Sequence, residues 1–404
     1  MGCEGVGNLY VHFPFCRGKC TYCALHSGPG HDGNVRAAYV ARLVKAVKSL
    51  DPSGLATVYF GGGTPALCDL APLLEELDGR LADDCEFSVE LHPLDVSREL
   101  LAMLKAGGVN RISMGVQSLD DGILAHMKRG YAFHDAERSF YLIREYFDNA
   151  GIDLIIGYPG ETAALTPRHA RLAKWGLTHC SAYSLILEEK SELNAILSLG
   201  TLPQKTGDTP PKNWGHSPKN AGDTPQKHWG HSPKQAVLPS DDEVLNRVSV
   251  ISRFLEDIGL KRYEISNYAV PGRECRHNLA TWRGEDYIGL GDGAHGRLGR
   301  QRTRNWWGLS PAENAGTVPE NVGTVPGGAW GQSPEIETVS EYFDNKERKI
   351  FGLRTREGLD AHDRPDWVGI LDKYVAEGML SKSGTVYRLT ERGTEVCDSI
   401  LAEL

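Results

Sequence analysis

Short runs rich in apolar residues recur along the first half of the chain, at 9–15, 56–60, 86–91, 109–114, 151–156 and 179–187. Between them, residues 35–50, 70–81, 98–106, 120–128, 134–149 and 167–176 carry apolar positions at helical spacing. Short apolar runs read as buried strands and the longer periodic stretches as amphipathic helices. Six alternating strand–helix units demand a parallel sheet with crossover helices, either an open doubly wound sheet or a partial barrel. A loop leaving the first strand lies at the C-terminal edge of that sheet, where α/β barrels put their chemistry.

The first strand leads into a loop of cysteines. The stretch Tyr10-Val-His-Phe-Pro-Phe-Cys16-Arg-Gly-Lys-Cys20-Thr-Tyr-Cys23 spaces its thiols C-x3-C-x2-C. Three thiolates on one loop suit a soft metal centre. A fourth ligand would close a zinc site or saturate a [4Fe–4S] cluster, whereas three leave one iron of a cubane open to an outside molecule. On spacing alone, a Cys3His zinc site completed by His12 or His26, and unrelated buried thiols, both remain open.

Composition narrows the class. The 404 residues are 40% apolar and 24% charged, ordinary for a globular protein. A net charge of −9 argues against a general nucleic-acid binder. The other cysteines (Cys3, Cys68, Cys85, Cys180, Cys275 and Cys397) are scattered singly, which suggests a reducing compartment. No charged-then-apolar signal segment, complete myristoylation site or membrane-length apolar run is visible, so the expected location is cytoplasmic.

Two stretches interrupt the pattern. Residues 207–220 are nearly repeated at 222–235, and the same Trp-Gly-x-Ser-Pro core returns at 307–311 and 330–334. Pro, Gly and polar residues at this density do not build a core and read as surface insertions. His216, His228 and His231 lie in the first of them. A helix is expected at 242–258, and glycines at 289, 291, 293 and 296 imply backbone passing close to something. The end reads as a winged-helix-like module: a helix at 367–376, a hairpin at 380–389 through Ser383-Gly384, and a helix at 390–404. Its mixed charge favours a packing or partner role over DNA. The expected division is a core at 1–200, insertions at 204–235 and 303–337 around an extension at 240–300, and the module at 340–404.

Further motifs occur in order: Gly61-Gly-Gly-Thr-Pro65, Arg111-Ile-Ser-Met-Gly-Val-Gln117, Asp153-Leu-Ile-Ile-Gly-Tyr-Pro159, Ser181-Ala-Tyr-Ser-Leu185, Tyr263-Glu-Ile-Ser-Asn-Tyr268 and His277-Asn-Leu-Ala-Thr-Trp282. With the cysteine loop they resemble the radical S-adenosylmethionine (SAM) superfamily. Within it they resemble the branch holding oxygen-independent coproporphyrinogen III oxidase and the haem chaperone HemW. The resemblance implies an α/β fold, a partial (β/α)6 TIM-like barrel with a small C-terminal α+β module. It implies that Cys16, Cys20 and Cys23 hold a [4Fe–4S] cluster whose open iron takes SAM, which an electron cleaves to methionine and a 5′-deoxyadenosyl radical.

The same resemblance assigns further roles. Tyr22 would pack on the adenine and Tyr10 border the cluster. Gly62, Gly63 and Thr64 would admit the methionine end. Glu90 and Asp153 would end barrel strands and reach the ribose or amino group, and Gln117 and Arg129 match positions that contact SAM. Departures separate the subfamilies. Leu25 stands where the oxidases carry a fourth cysteine, Thr281 replaces a Tyr, Ala24 a common acidic residue and His92 a usual Asn. His277 is the candidate axial ligand for haem, the expected cargo. The expectation is a haem chaperone, with the porphyrin oxidase and a zinc-stabilised interaction module as alternatives. Expected partners are haem or porphyrin, haem-accepting proteins and an electron donor, with no nucleic acid. Membrane contact is expected only through partners, in a monomer or dimer.

Overall fold

The computed structural model describes residues 6–50, 54–198, 237–305 and 335–404. Strands β1 (Asn8–Phe13), β2 (Leu55–Gly62), β3 (Leu81–Leu91), β4 (Arg111–Gln117), β5 (Asn149–Ile156) and β6 (His179–Ser184) pair in sequence order, all parallel. Helices α1 (Gly33–Ser49), α2 (Ala71–Leu77), α3 (Arg98–Ala106), α4 (Asp121–His126), α5 (Phe133–Tyr146) and α6 (Pro167–Leu172) make the crossovers. Short polar side chains start three of them. Asp32, Ser97 and Asp120 each accept a backbone N–H from the first turn of the adjoining helix.

The strands alternate in a way that makes a lumen. Leu9, Val11, Phe13, Val58, Phe60, Phe87, Val89, Ile112, Met114 and Ile152 are fully buried in one continuous core. Burying each is worth about 1.5–3 kcal/mol. Their neighbours in sequence are polar or aromatic: Tyr10 and His12, Thr57 and Tyr59, Glu86, Ser88 and Glu90, Arg111 and Ser113, Asp153, and His179. Parallel strands covered on both faces usually read as continuous apolar runs. Here one buried face is polar, the signature of a lined barrel interior.

Some boundaries shift for local reasons. β1 stops at Phe13 because Pro14 has no N–H to donate, and Phe15 bridges to Gly28 instead. The helix expected to reach residue 81 ends at Leu77; Gly79 turns the chain at φ +75° and Leu81 already opens β3. The last helix divides at Val396, next to weak helix formers Gly393 and Thr394.

The chain beyond β6 contains the helix expected at 242–258, observed at 241–257, and several short elements that the periodicity did not announce. Helices α7 (Glu192–Ser198) and α8 (Asp241–Asp257) come first, α8 capped by Ser240 and Glu243 in a reciprocal box. Strands β7 (Lys261–Arg262) and β8 (Asn267–Ala269) extend the sheet antiparallel beyond β6. After α9 (Arg276–Trp282), β9 (Ile288–Leu290) joins the opposite edge, parallel to β1. The nine strands run β7-β8-β6-β5-β4-β3-β2-β1-β9. A second sheet holds β10 (His295–Leu298), β11 (Gln301–Arg304) and β12 (Glu335–Thr338). The final module comprises α10 (Glu341–Gly352), β13 (Leu359–Asp360), α11 (Pro365–Ala376), β14 (Leu380–Ser383), β15 (Val386–Leu389), α12 (Glu391–Glu395) and α13 (Cys397–Glu403). It has its own core of Leu353, Trp367, Leu371, Tyr387 and Ile400. The insertion at 204–235, with its three histidines, lies outside the described residues; so does most of 303–337, whose ends belong to β11 and β12. No helix among the described residues is long and apolar enough to cross a membrane.

Candidate cofactor site

The cysteine loop leaves the C-terminal end of β1 and is tied shut at its neck. Cys16 N donates to Gly28 O (3.0 Å), and Gly28 N donates back to Pro14 O (2.9 Å). Cys23 N donates to Cys20 O (3.1 Å), which curls the loop. Cys16, Cys20 and Cys23 are half-buried, while the other described cysteines are buried. Burial pushes the Cys16 thiol up, so a metal must displace its proton.

The glycine turn after β2 is keyed into this loop. Gly62 has φ +102°, and a Cβ there would lie 2.5 Å from the His12 ring. A Cβ on Gly63 would lie 2.5 Å from Phe15 O and 3.0 Å from Cys16 Sγ. Gly63 N and Thr64 N donate to Phe13 O (2.6 Å) and Phe15 O (2.7 Å). Only a bare backbone can pass here.

The expected SAM contacts gather around the same end. Glu90 is half-buried and accepts from Tyr59 OH (2.9 Å) and Gly62 N (3.1 Å). Burial first, then the Asp153 charge, pushes its carboxyl up to about 7. Arg129 reaches Cys20 Sγ with Nη1 (3.5 Å) and donates from Nη2 to Gly115 O (2.6 Å). Gln117 has a strained φ of +68° and accepts from Tyr183 OH (3.3 Å). Tyr22 packs against Ile123, Met127 and Tyr158. Asp153 corrects one expectation. It does not end its strand but sits mid-way along β5, where Ser113 Oγ donates to it (3.0 Å) and burial raises its carboxyl. β5 ends at Ile156, three residues beyond Asp153.

His277 lies at the other end of the lumen, in the first turn of α9 and 6% exposed. It contacts the N-terminal part of β2, whereas the cysteine loop meets its C-terminus. From Thr57 to Gly62 the strand advances about 16 Å. Tyr10 stacks on the imidazole at 6.3 Å and Tyr59 lies at 5.3 Å, with Tyr287 edge-on at 6.4 Å. The hydrogen bonding fixes its tautomer. Thr57 Oγ1 donates to Asn8 Oδ1 (2.8 Å), so it can only accept from His277 Nδ1–H (2.8 Å). Nε2 therefore keeps its lone pair. Burial, then the Arg111 charge, lowers the imidazole to about 4, so it is neutral near pH 7. Glu86 anchors the helix, accepting from Arg276 N (3.0 Å) and His277 N (3.2 Å).

Several contacts that hold the loop are not evident from the sequence alone. Tyr10 OH donates to His12 Nδ1 (3.0 Å), and His12 Nε2–H donates to His26 O (2.9 Å). His26 Nε2 pairs with Asp292 Oδ2 (2.8 Å). Gly291 and Gly293 pass so close that a Cβ would lie 2.4 Å from His12 O and 2.9 Å from the His26 side chain. That is what the glycine-rich stretch approaches. Both histidines offered as a fourth zinc ligand are thus spent on holding the loop. Among the described residues no three His, Cys, Asp or Glu side chains are arranged to hold one metal ion. A cubane, which gives each thiolate its own iron, does not require such convergence. The thiol trio, the bare Gly63 wall against Cys16 and the neighbouring Arg129 cation fit a cluster. His12, Tyr59, Glu86 and Arg111 were readable as polar residues at every second strand position.

The radical SAM superfamily model matches residues 10–173. The haem chaperone HemW of Mycobacterium tuberculosis is 30% identical over 98% of this chain and 94% of its own length. The chain belongs to the HemW family of radical SAM proteins. HemW of Synechocystis is 34% identical, covering 85% of this chain and 86% of that one. A mouse protein, radical S-adenosyl methionine domain-containing protein 1, mitochondrial, is 31% identical over 94% of this chain and 74% of its own. Among solved structures, the Escherichia coli coproporphyrinogen III oxidase HemN superposes with a TM-score of 0.73 over 98% of this chain and 89% of that one, at 19% identity. That likeness establishes the shared barrel. HemW membership agrees with Leu25 at the fourth-cysteine position.

Proposed function

We propose that this protein holds a [4Fe–4S] cluster on Cys16, Cys20 and Cys23, binds SAM beside it, and carries haem to haem-dependent proteins. The observation that carries the haem assignment is the His277 imidazole. It is neutral, its Nδ1–H is held by Thr57, and its Nε2 lone pair is free of any hydrogen bond among the described residues. A ligating histidine needs that arrangement, with the other ring nitrogen fixed by a partner. Haem would reach it through an opening of the Tyr10, Tyr59 and Tyr287 cage. The full-length relatives named as haem chaperones support the same reading.

At the cysteine end each residue has a distinct role. Glu90, once ionised, receives the ammonium of SAM, and Asp153 and Gln117 face its ribose hydroxyls. Gly62, Gly63 and Thr64 leave room for the methionine backbone, and Tyr22 supplies an aromatic surface for the adenine. Arg129 offsets negative charge next to Cys20. When bound, the cluster supplies one electron to the sulfonium. An electron donor and a haem-accepting protein are the implied partners, in the reducing cytoplasm.

Haem titration of the full chain tests this. Wild type should develop a Soret band saturating at about one haem per chain, and His277→Ala should weaken binding roughly tenfold or more. Unchanged binding by the variant would remove His277 from the site. If wild type takes up no haem but converts coproporphyrinogen III to protoporphyrinogen IX, the oxidase reading replaces this one.

A further inference from the structure

A second cavity lies at the C-terminal ends of β4 and β5 and shares Gln117 with the site described above. It encloses about 300 Å³ beneath the loop joining β5 to α6 and against α8. Leu154 and Ile156, whose side chains belong to the outer core and alternate with Asp153 along β5, line it, as do Ile123 and Ile251. Its volume is at the small end of ligand pockets and admits no porphyrin.

Among its polar lining side chains, Arg247 is the one with buried donors left unmet. Arg247 of α8 lines the cavity and is 9% exposed. Its Nε and Nη1 have no hydrogen-bond partner among the described residues. The nearest carboxylate, Glu161 Oε2, is 3.8 Å from Nη1 and already accepts from Gly157 N (2.5 Å). His169 also lines the cavity. Its Nδ1 accepts from Thr166 N (2.9 Å), which puts the ring proton on Nε2 as a further donor. A buried guanidinium rarely leaves N–H groups unmatched, because unmet donors are costly away from water.

We propose that this cavity is a binding site for a small aliphatic carboxylate, its oxygens on the Arg247 guanidinium and its chain against Leu154, Ile156 and Ile251. A carboxylate supplies the two acceptor oxygens that a guanidinium fork matches. A dianion such as a phosphate ester is disfavoured, because Asp120 and Glu161 line the same small space and the other lining guanidinium, Arg168, is already paired with Asp121. The site needs neither the cluster nor haem.

The test is calorimetric titration of the full chain with hexanoate, hexyl phosphate and hexanol as probes. Hexanoate should bind wild type at least about tenfold more tightly than the other two. Arg247→Met should abolish that preference. Arg247→Lys retains charge and stem but not the fork, and should weaken hexanoate roughly tenfold while the thermal unfolding curve stays near wild type. Asp153→Asn should leave hexanoate binding unchanged. Failure of hexanoate to bind, equal binding of hexanol, tighter binding of hexyl phosphate, or full binding by Arg247→Lys would each overturn the proposal. Competition between hexanoate and SAM would also overturn it, by making the cavity part of the lumen site.

Discussion

The two ends of the barrel lumen are built from the same alternating strands but finished differently. At the C-terminal end the finish is loop and bare backbone: half-buried thiols, a glycine turn, and carboxyls such as Glu90 whose ionisation burial opposes. At the N-terminal end α9 plugs the sheet. There Glu86 receives two backbone N–H groups, and Thr57 fixes the imidazole. Arg111 is fully buried, with its Nε lacking a partner among the described residues. One end is shaped to be completed by a ligand, while the other is mostly completed by the chain itself. Exceptions at the second end include the unpartnered Arg111 Nε and the free lone pair of His277.

The largest expected effect separates the two ends by stability. Arg111→Leu leaves the buried Glu86 carboxylate without its nearby cation. Urea unfolding should register a loss of about 3–5 kcal/mol. A shift under about 1 kcal/mol would mean that Arg111 contributes little to the plug. Gly63→Ala acts at the other end, forcing a methyl into Phe15 O. It should cost about 1–3 kcal/mol and sharply lower iron incorporation while haem binding persists. Equal loss of both would show that the ends are not independent. Thr57→Val keeps volume but removes the acceptor for His277 Nδ1–H. Haem affinity should fall about 10-fold to 100-fold with SAM binding intact, as read by parallel titrations.

The smallest effect is a pH profile. Because the Glu90 carboxyl sits near 7 in the fold and near 4.5 in the unfolded chain, the SAM-free fold binds the extra proton between those values. Stability of the SAM-free protein should therefore decline as pH rises from about 4.5 through 7. On the proposed contact between Glu90 and the SAM ammonium, SAM affinity should fall as pH drops below about 7, approaching tenfold per unit. Glu90→Gln should flatten both curves; a wild-type SAM affinity level from pH 6 to 8 would take Glu90 out of contact with the ligand.

The C-terminal end was the more legible in the sequence. Cys16, Cys20 and Cys23 sit in one loop, and the Gly61–Gly63 turn directly succeeds the next strand, so local pattern sufficed. The six strand–helix units were also readable, since each buried face repeats at the period of its own element. The N-terminal end was not. α9 has seven residues, and its N-terminus is satisfied by Glu86, nearly 200 positions earlier, an anchor invisible to local spacing. His12 and His26 looked like metal ligands by type and proximity. Their rings prove to be committed to His26 O and Asp292 instead. Asp153 lies three residues before the end of β5 at Ile156, so it is not the strand-ending carboxylate that the resemblance implies.

The cysteine loop, and the cluster proposed for it, is the feature on which the rest depends. Anaerobic reconstitution of wild type with iron and sulfide should give a brown protein with about four iron and four sulfide per chain, whose spectrum changes on adding SAM. Cys16→Ala, Cys20→Ala and Cys23→Ala should each lose the cluster. A colourless chain that instead carries one zinc on these three thiols, indifferent to SAM, would contradict it.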